Sequence, residues 1–224
     1  AVKPIGEKLQ ADESEAIVRE FYRMANRSME VYERCGDDDF SVSIAGLARF
    51  RINAFSQRGS KAAVVRIVAY GIPDYKEMGI PEQIMDLANL TKGMVLVCGK
   101  AGSGKSTTLA CIVDRINRTR SGHIITLEDP IEYLHKHDQC VVSQREIAID
   151  TENYASAFRA SLRQSPDVIQ LGEMRDLNTI KTAVTAAETG ILMLATLHTG
   201  NAVNTIDRII AVFPPQQQHK IRLQ

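Results

Sequence analysis

Residues 99–107 read Gly99-Lys100-Ala101-Gly102-Ser103-Gly104-Lys105-Ser106-Thr107, a full match to G-x-x-x-x-G-K-[ST]. This run constrains the fold because it works only between a strand that enters it and a helix that leaves it. Its glycines let the backbone curl until N–H groups point inward at phosphate oxygens. The helix that follows aims its positive N-terminal dipole at the same anion. Lys105 is placed to reach the β- and γ-phosphates of a nucleotide, and the Ser106 hydroxyl to hold Mg²⁺. The context agrees. Met94-Val95-Leu96-Val97-Cys98 is a short apolar strand, and Ser106 to Asn117 carries Leu109, Ile112, Val113 and Ile116 at helical spacing.

A chain of 224 residues buries a full α/β core and leaves room for a second, smaller domain. Its formal net charge is zero, so no global basic field points to direct nucleic-acid binding or to an anionic membrane. No apolar run approaches the roughly 20 residues of a membrane span, and the first residues lack a signal-peptide pattern. Cys35, Cys98, Cys111 and Cys140 are scattered without a C-x-x-C pair, which makes neither a zinc site nor a disulfide framework. The expectation is a reducing, cytoplasmic setting.

Two regions follow different patterns. Residues 13–33 read as one long helix with Ile17, Phe21 and Met24 on a stripe. The period then becomes two. Phe40, Val42 and Ile44 alternate with serines, Phe50, Ile52 and Ala54 alternate with Arg49, Arg51 and Asn53, and a third strand runs near Ala62 to Ala69. This predicts an antiparallel sheet with one wet face. The stretch Tyr70 to Asp74 breaks the pattern. After a short helix near Pro81, strands at 94–98, 123–127, 140–143, 167–171 and 191–197 alternate with helices near 105–118, 151–164, 176–189 and 201–211. That alternation predicts a mostly parallel sheet with helices on both faces and ligand at the strands' C-terminal ends. The expected division is an N-terminal domain over 1–70, a linker over 71–80 and a nucleotide-binding domain over 81–224.

Hydrolysis needs a metal ligand and a group that orients water. Ile124-Ile125-Thr126-Leu127-Glu128-Asp129-Pro130-Ile131-Glu132 puts three acids on a loop beyond a strand that Pro130 stops. Asp167-Val168-Ile169-Gln170-Leu171-Gly172-Glu173 ends a second strand in Gly-Glu, like a Walker B strand with its acid at the tip. Glu173 is the candidate for Mg²⁺ or its water. Glu132 is the candidate for polarising the attacking water, with Glu128 as competitor. Gln170 interrupts an apolar run and is expected to face a polar neighbour. His198, after Thr196-Leu197, is open between a hydrogen-bonded structural role and a γ-phosphate sensor. Arg159 and Arg163 share a helix face, and Arg51 and Arg66 lie on neighbouring strands; a solvated face accounts for each pair from the residues alone.

Taken together, the motifs resemble one family. Gly102 to Leu109, Glu128 to Tyr133, Gly172 to Asp176, Ala187-Glu188-Thr189-Gly190 and Thr196 to Thr199 occur in the order of the Walker A, Asp box, Walker B and His box of the secretion and type IV pilus ATPases. The run Thr205-Ile206-Asp207-Arg208-Ile209-Ile210, followed by Phe213-Pro214, is similar to the PilT-type retraction motors within that superfamily. The tetracysteine zinc insertion usual in extension and type II secretion ATPases is missing, which favours the retraction branch.

The resemblance implies a RecA-like P-loop domain behind a small PAS-like α+β domain, working as a homohexamer on ATP and Mg²⁺. It implies that Glu132 is the catalytic glutamate and that Arg51 and Arg66 reach a nucleotide. It also implies a cytoplasmic motor at the inner face of the cytoplasmic membrane, only peripherally attached, with an inner-membrane pilus platform protein as partner and no direct nucleic-acid contact. Two other functions stay open: a type IV secretion or DNA-transfer ATPase, and a non-hydrolysing regulatory module. Three departures stand out. Ile191 occupies the place of the first histidine of the His box, Lys100-Ala101 replaces the usual Pro-Thr, and both ends look cut, with the C-terminal helical lobe expected beyond Gln224.

Overall fold

The computed structural model describes residues 6–44, 47–68, 71–174 and 176–222. The chain divides into two compact units, Ala1–Tyr70 and Gly71–Gln224.

In the first unit the expected single helix is two, α1 (Ala11–Met24) and α2 (Glu30–Cys35). The break falls where Asn26 takes φ 49°, a left-handed conformation that asparagine tolerates better than most residues. It lets Arg27 grip Asp38 through two hydrogen bonds of 2.9 Å while Tyr22 donates its hydroxyl to the same carboxylate at 3.1 Å. The break also corrects the buried stripe. Val18 and Tyr22 are buried, whereas Ile17 and Met24 are exposed. Strands β1 (Asp37–Ile44), β2 (Ala48–Gln57) and β3 (Ser60–Val68) form an antiparallel meander in the order β1-β2-β3. Arg58 and Gly59 join β2 to β3 with φ of 49° and 78°, the two-residue hairpin turn whose twist matches the strands. Phe40, Val42, Ile52 and Ala54 pack with Val18, Tyr22 and Tyr32 as the core of this unit. The end of the expected third strand, Ala69, lies outside the described residues.

The second unit carries a five-stranded, all-parallel sheet in the order β4-β8-β7-β5-β6. Its strands are β4 (Gly93–Cys98), β5 (Gly122–Glu128), β6 (Cys140–Glu146), β7 (Val168–Leu171) and β8 (Leu192–Leu197). Ile72, Tyr75 and Ile80, from the stretch expected as a linker, pack against this unit's core. A short helix α3 (Glu82–Met85) precedes β4 and tightens into a 3₁₀ turn over Asp86–Asn89. The central strands read as near-continuous apolar runs because both faces are covered. Helix α4 (Lys105–Thr119) presses Leu109, Ile112 and Ile116 onto one face, against Val95, Ile124 and Val168. On the other face, Phe158 of α5 (Tyr154–Ser161), Ile180 of α6 (Leu177–Glu188) and Ile209 of α7 (Ala202–Ala211) pack on Ile125, Ile169 and Met193.

Asn153, Asp176 and Asn201 start α5, α6 and α7 by accepting the backbone N–H three residues on, at 2.9, 2.9 and 2.8 Å. The Asn153 cap explains why α5 begins three residues later than periodicity predicts. A last helix α8 (Pro215–Ile221), absent from the sequence-based expectation, opens on a proline at its first position, where the missing N–H costs nothing. Among the described residues no helix is long and apolar enough to cross a membrane.

Candidate functional site

Strand β4 runs into residues 99–104 and out into α4, as the glycine pattern requires. Gly102 and Gly104 adopt φ of 74° and 87°, which other residues resist. Gly104 is the N-cap of α4 and supplies no side-chain acceptor, so the first N–H groups of a 15-residue helix stay available to an anion. Lys105 is buried, and its ammonium donates to the Lys100 carbonyl at 2.9 Å, folded back across the loop. Thr107 shares a 2.9 Å hydrogen bond with the Tyr133 hydroxyl, tying α4 to the segment after β5.

A cavity of about 220 Å³ opens on this loop. Ala101, Gly102, Lys105 and Ser106 line one side, and Glu128, Glu132, Glu173 and His198 the other. The parallel topology thus gathers four chemistry-bearing residues from three separate strand ends at the tip of α4. His198, just beyond β8, has Nε2 3.5 Å from Glu173 Oε2. Gly172, just before Glu173, packs closely: a Cβ there would sit 2.8 Å from the Tyr154 hydroxyl and 3.2 Å from the Leu127 carbonyl, so a larger residue would have to displace its neighbours. Thr196 donates its hydroxyl to the Gly172 carbonyl and so fixes the turn that presents Glu173.

Glu128 differs from expectation. It is the last residue of β5 and buried, not a loop acid. Burial pushes its carboxyl up to about 7, against the opposing pull of hydrogen bonds from Thr126, Gln144 and the Glu132 backbone N–H. Thr126 Oγ1 donates to Oε1 at 2.5 Å and Gln144 Nε2 at 3.2 Å. These donors hold Glu128 in place as a fixed acceptor. Glu132, four residues on, is exposed at the cavity rim, where a carboxylate can meet water. The two acids thus differ in setting: Glu128 is buried and held by three donors, and Glu132 is exposed at the rim.

Gln144, which anchors Glu128 and also donates to the Tyr133 carbonyl at 2.9 Å, was missed by the sequence reading. The expected strand stopped at 143, yet the inward alternation Cys140, Val142, Gln144, Glu146 runs on to the end of β6. Gln170 has a polar cross-strand partner in register, Thr126, as expected, yet its Oε1 is buried with no hydrogen-bond partner among the described residues. Arg51 and Arg66 belong to the first unit. They sit directly opposite one another in the β2–β3 register, with Arg51 Nε 3.9 Å from Asp39.

The oxygen ligands here, the Ser106 hydroxyl and the Glu173 carboxylate, suit a hard cation. Among the described residues no cluster of three His, Cys, Asp or Glu forms a closed metal cage.

A sequence profile described as "Type II/IV secretion system protein" matches residues 7–218. The chain belongs to this family. It is 45% identical over 199 residues to the type IV pilus retraction ATPase PilT of Pseudomonas aeruginosa, covering 89% of this chain and 58% of that protein. The twitching motility protein of Neisseria gonorrhoeae is 43% identical over 199 residues, covering 89% of this chain and 53% of its own length. A crystal structure of the pilus retraction motor PilT with bound ADP superposes with a TM-score of 0.88 at 48% identity, over 93% of this chain and 61% of that one. The Legionella pneumophila ATPase DotB superposes at 0.76 with 28% identity, over 98% and 62%. The chain thus spans a little over half the length of these curated relatives.

Proposed function

We propose that this chain is the nucleotide-hydrolysing part of a motor that powers type IV pilus retraction. The observation that carries the reading is the single cavity in which the 99–107 loop meets Glu132, Glu173 and His198. ATP enters with its phosphates against the N-terminus of α4. Lys105 exchanges its hold on the Lys100 carbonyl for the β- and γ-phosphates, a swap of one oxygen acceptor for charged ones. Ser106 and Glu173 would hold Mg²⁺, which would supply positive charge to offset that of the phosphates. Glu132 aligns a water for attack on the γ-phosphorus, and His198, beside Glu173, senses the γ-phosphate. Positioning and electrostatics supply most of the acceleration, because phosphoryl transfer asks little covalent chemistry of the protein.

Arg51 and Arg66, side by side on the first unit's sheet, are suited to bring two positive charges to a nucleotide. In this reading they complete the site of a neighbouring subunit in a homohexameric ring. The ring works in the cytoplasm at the inner face of the membrane, attached peripherally to an inner-membrane platform protein and without direct nucleic-acid contact. The pilus retraction and twitching relatives match 89% of this chain at 45% and 43% identity, whereas type II secretion proteins match 56% to 61% of it, which favours pilus retraction over a secretion role.

Deleting the gene and counting surface pili tests the cellular role. Loss of a retraction motor leaves cells with more pili and no twitching. Cells without pili would refute it in favour of an extension motor.

A further inference from the structure

The sheet face beneath α4 changes character along its length. The row Leu192, Val168, Ile124 and Val142 is apolar throughout. The next row toward the strand ends runs Val95, Leu194, Gln170, Thr126 and Gln144, and polarity begins there, with Gln170 lining the cavity. Thr126 and Gln144 both spend donors on Glu128 Oε1. Gln170 takes no part in that network. Its side chain lines the cavity, the residue is only 5% exposed, and its Oε1 has no partner among the described residues.

A buried amide carbonyl left unpaired is costly, and a strand position covered on both faces normally carries an apolar side chain. The missing partner must be a donor. Lys105 is committed to the Lys100 carbonyl and turns to phosphate when nucleotide binds. Water meets the need, in a polar cavity with room for several molecules. Mg²⁺ keeps most of its hydration shell when it binds beside phosphates, and those polarised waters are strong donors that require acceptors. Gln170 lies three residues before Glu173 on the strand that presents it.

We propose that Gln170 is a positioning residue for the metal: its Oε1 accepts a hydrogen bond from a water of the Mg²⁺ shell and so fixes the ion between Ser106 and Glu173. The inference rests on reading the cavity as a Mg·nucleotide site and adds a ligand-positioning residue that the motif residues do not include.

The test uses the full-length protein and Gln170→Met, which keeps length and removes the acceptor, with Gln170→Leu as a second apolar variant should the first fold poorly. ADP affinity is titrated with and without Mg²⁺. Loss of an outer partner of a metal site typically costs roughly tenfold or more in metal affinity. The apparent Mg²⁺ midpoint of Gln170→Met should therefore rise about tenfold, with metal-free ADP affinity unchanged. Nucleotide-free protein should melt close to wild type, because the partner lost is cavity water and not another protein group. Gln170→Glu, which keeps an acceptor, should restore the Mg²⁺ midpoint to within about twofold of wild type, against the tenfold loss expected when the acceptor is removed. An unchanged midpoint in Gln170→Met, or a lower melting temperature without nucleotide, overturns the inference. A wild-type protein that binds no ADP at all would instead sink the nucleotide-site reading.

Discussion

Glu128 offers a sharp test of how the site's electrostatics are built. Burial lifts its carboxyl up to about 7 from an ordinary 4.5. At about 1.4 kcal/mol per pH unit between the two values, ionising it in the folded protein costs about 3 kcal/mol more than in the unfolded chain. For an acid raised in this way the folded state holds its proton longer. The penalty is therefore absent below the unfolded value, grows as pH climbs from about 4.5 to about 7, and is complete above that. Glu128→Gln removes the titration while its carbonyl still accepts from Thr126 and Gln144. Any loss at the Glu132 N–H is the same at every pH. Urea unfolding of both proteins near pH 5 and near pH 8 isolates the effect, since all other titrations cancel in the difference. The variant should gain about 2 to 3 kcal/mol relative to wild type between the two conditions. A difference that stays flat with pH would show that Glu128 ionises in the folded protein as it does in water, and the account of a desolvated, anchored carboxyl would fall.

Two further outcomes follow from packing. Phe158 is 1% exposed in the cluster between α5, α6 and the sheet, so Phe158→Ala should cost about 3 to 5 kcal/mol by urea unfolding, with little change if that face is loosely packed. Gly172→Ala forces a Cβ to 2.8 Å from the Tyr154 hydroxyl and 3.2 Å from backbone. It should destabilise by about 1 to 3 kcal/mol and impair turnover by moving Glu173, and Tyr154→Phe should relieve part of both effects.

Most strands and helices of the second unit were legible because apolar runs and helical spacing agreed along them. The site's core was legible for the same reason: a glycine-rich loop has few other uses, and acids at strand ends converge in a parallel sheet. What escaped the sequence depended on contacts distant in the chain. Helical periodicity continues through Ala25 to Ser28, but the grip of Arg27 and Tyr22 on Asp38 favours the break. Pro130 correctly marked the end of β5, yet only the neighbouring strand, through Gln144, reveals that Glu128 is enclosed. The pairing of Arg51 with Arg66 becomes countable once Arg58-Gly59 is recognised as a two-residue turn, because that turn sets the register of β2 on β3. Gln170 was visible as a polar interruption, but its unpaired oxygen is a property of the packed sheet.

The central claim is that this cavity hydrolyses ATP with Glu132 aligning the water. Steady-state hydrolysis and nucleotide binding by full-length wild type, Lys105→Ala and Glu132→Ala test it most directly. Wild type should turn over, Lys105→Ala should lose binding, and Glu132→Ala should bind ATP normally while losing turnover by roughly 100-fold or more. Normal hydrolysis by Glu132→Ala would contradict the account.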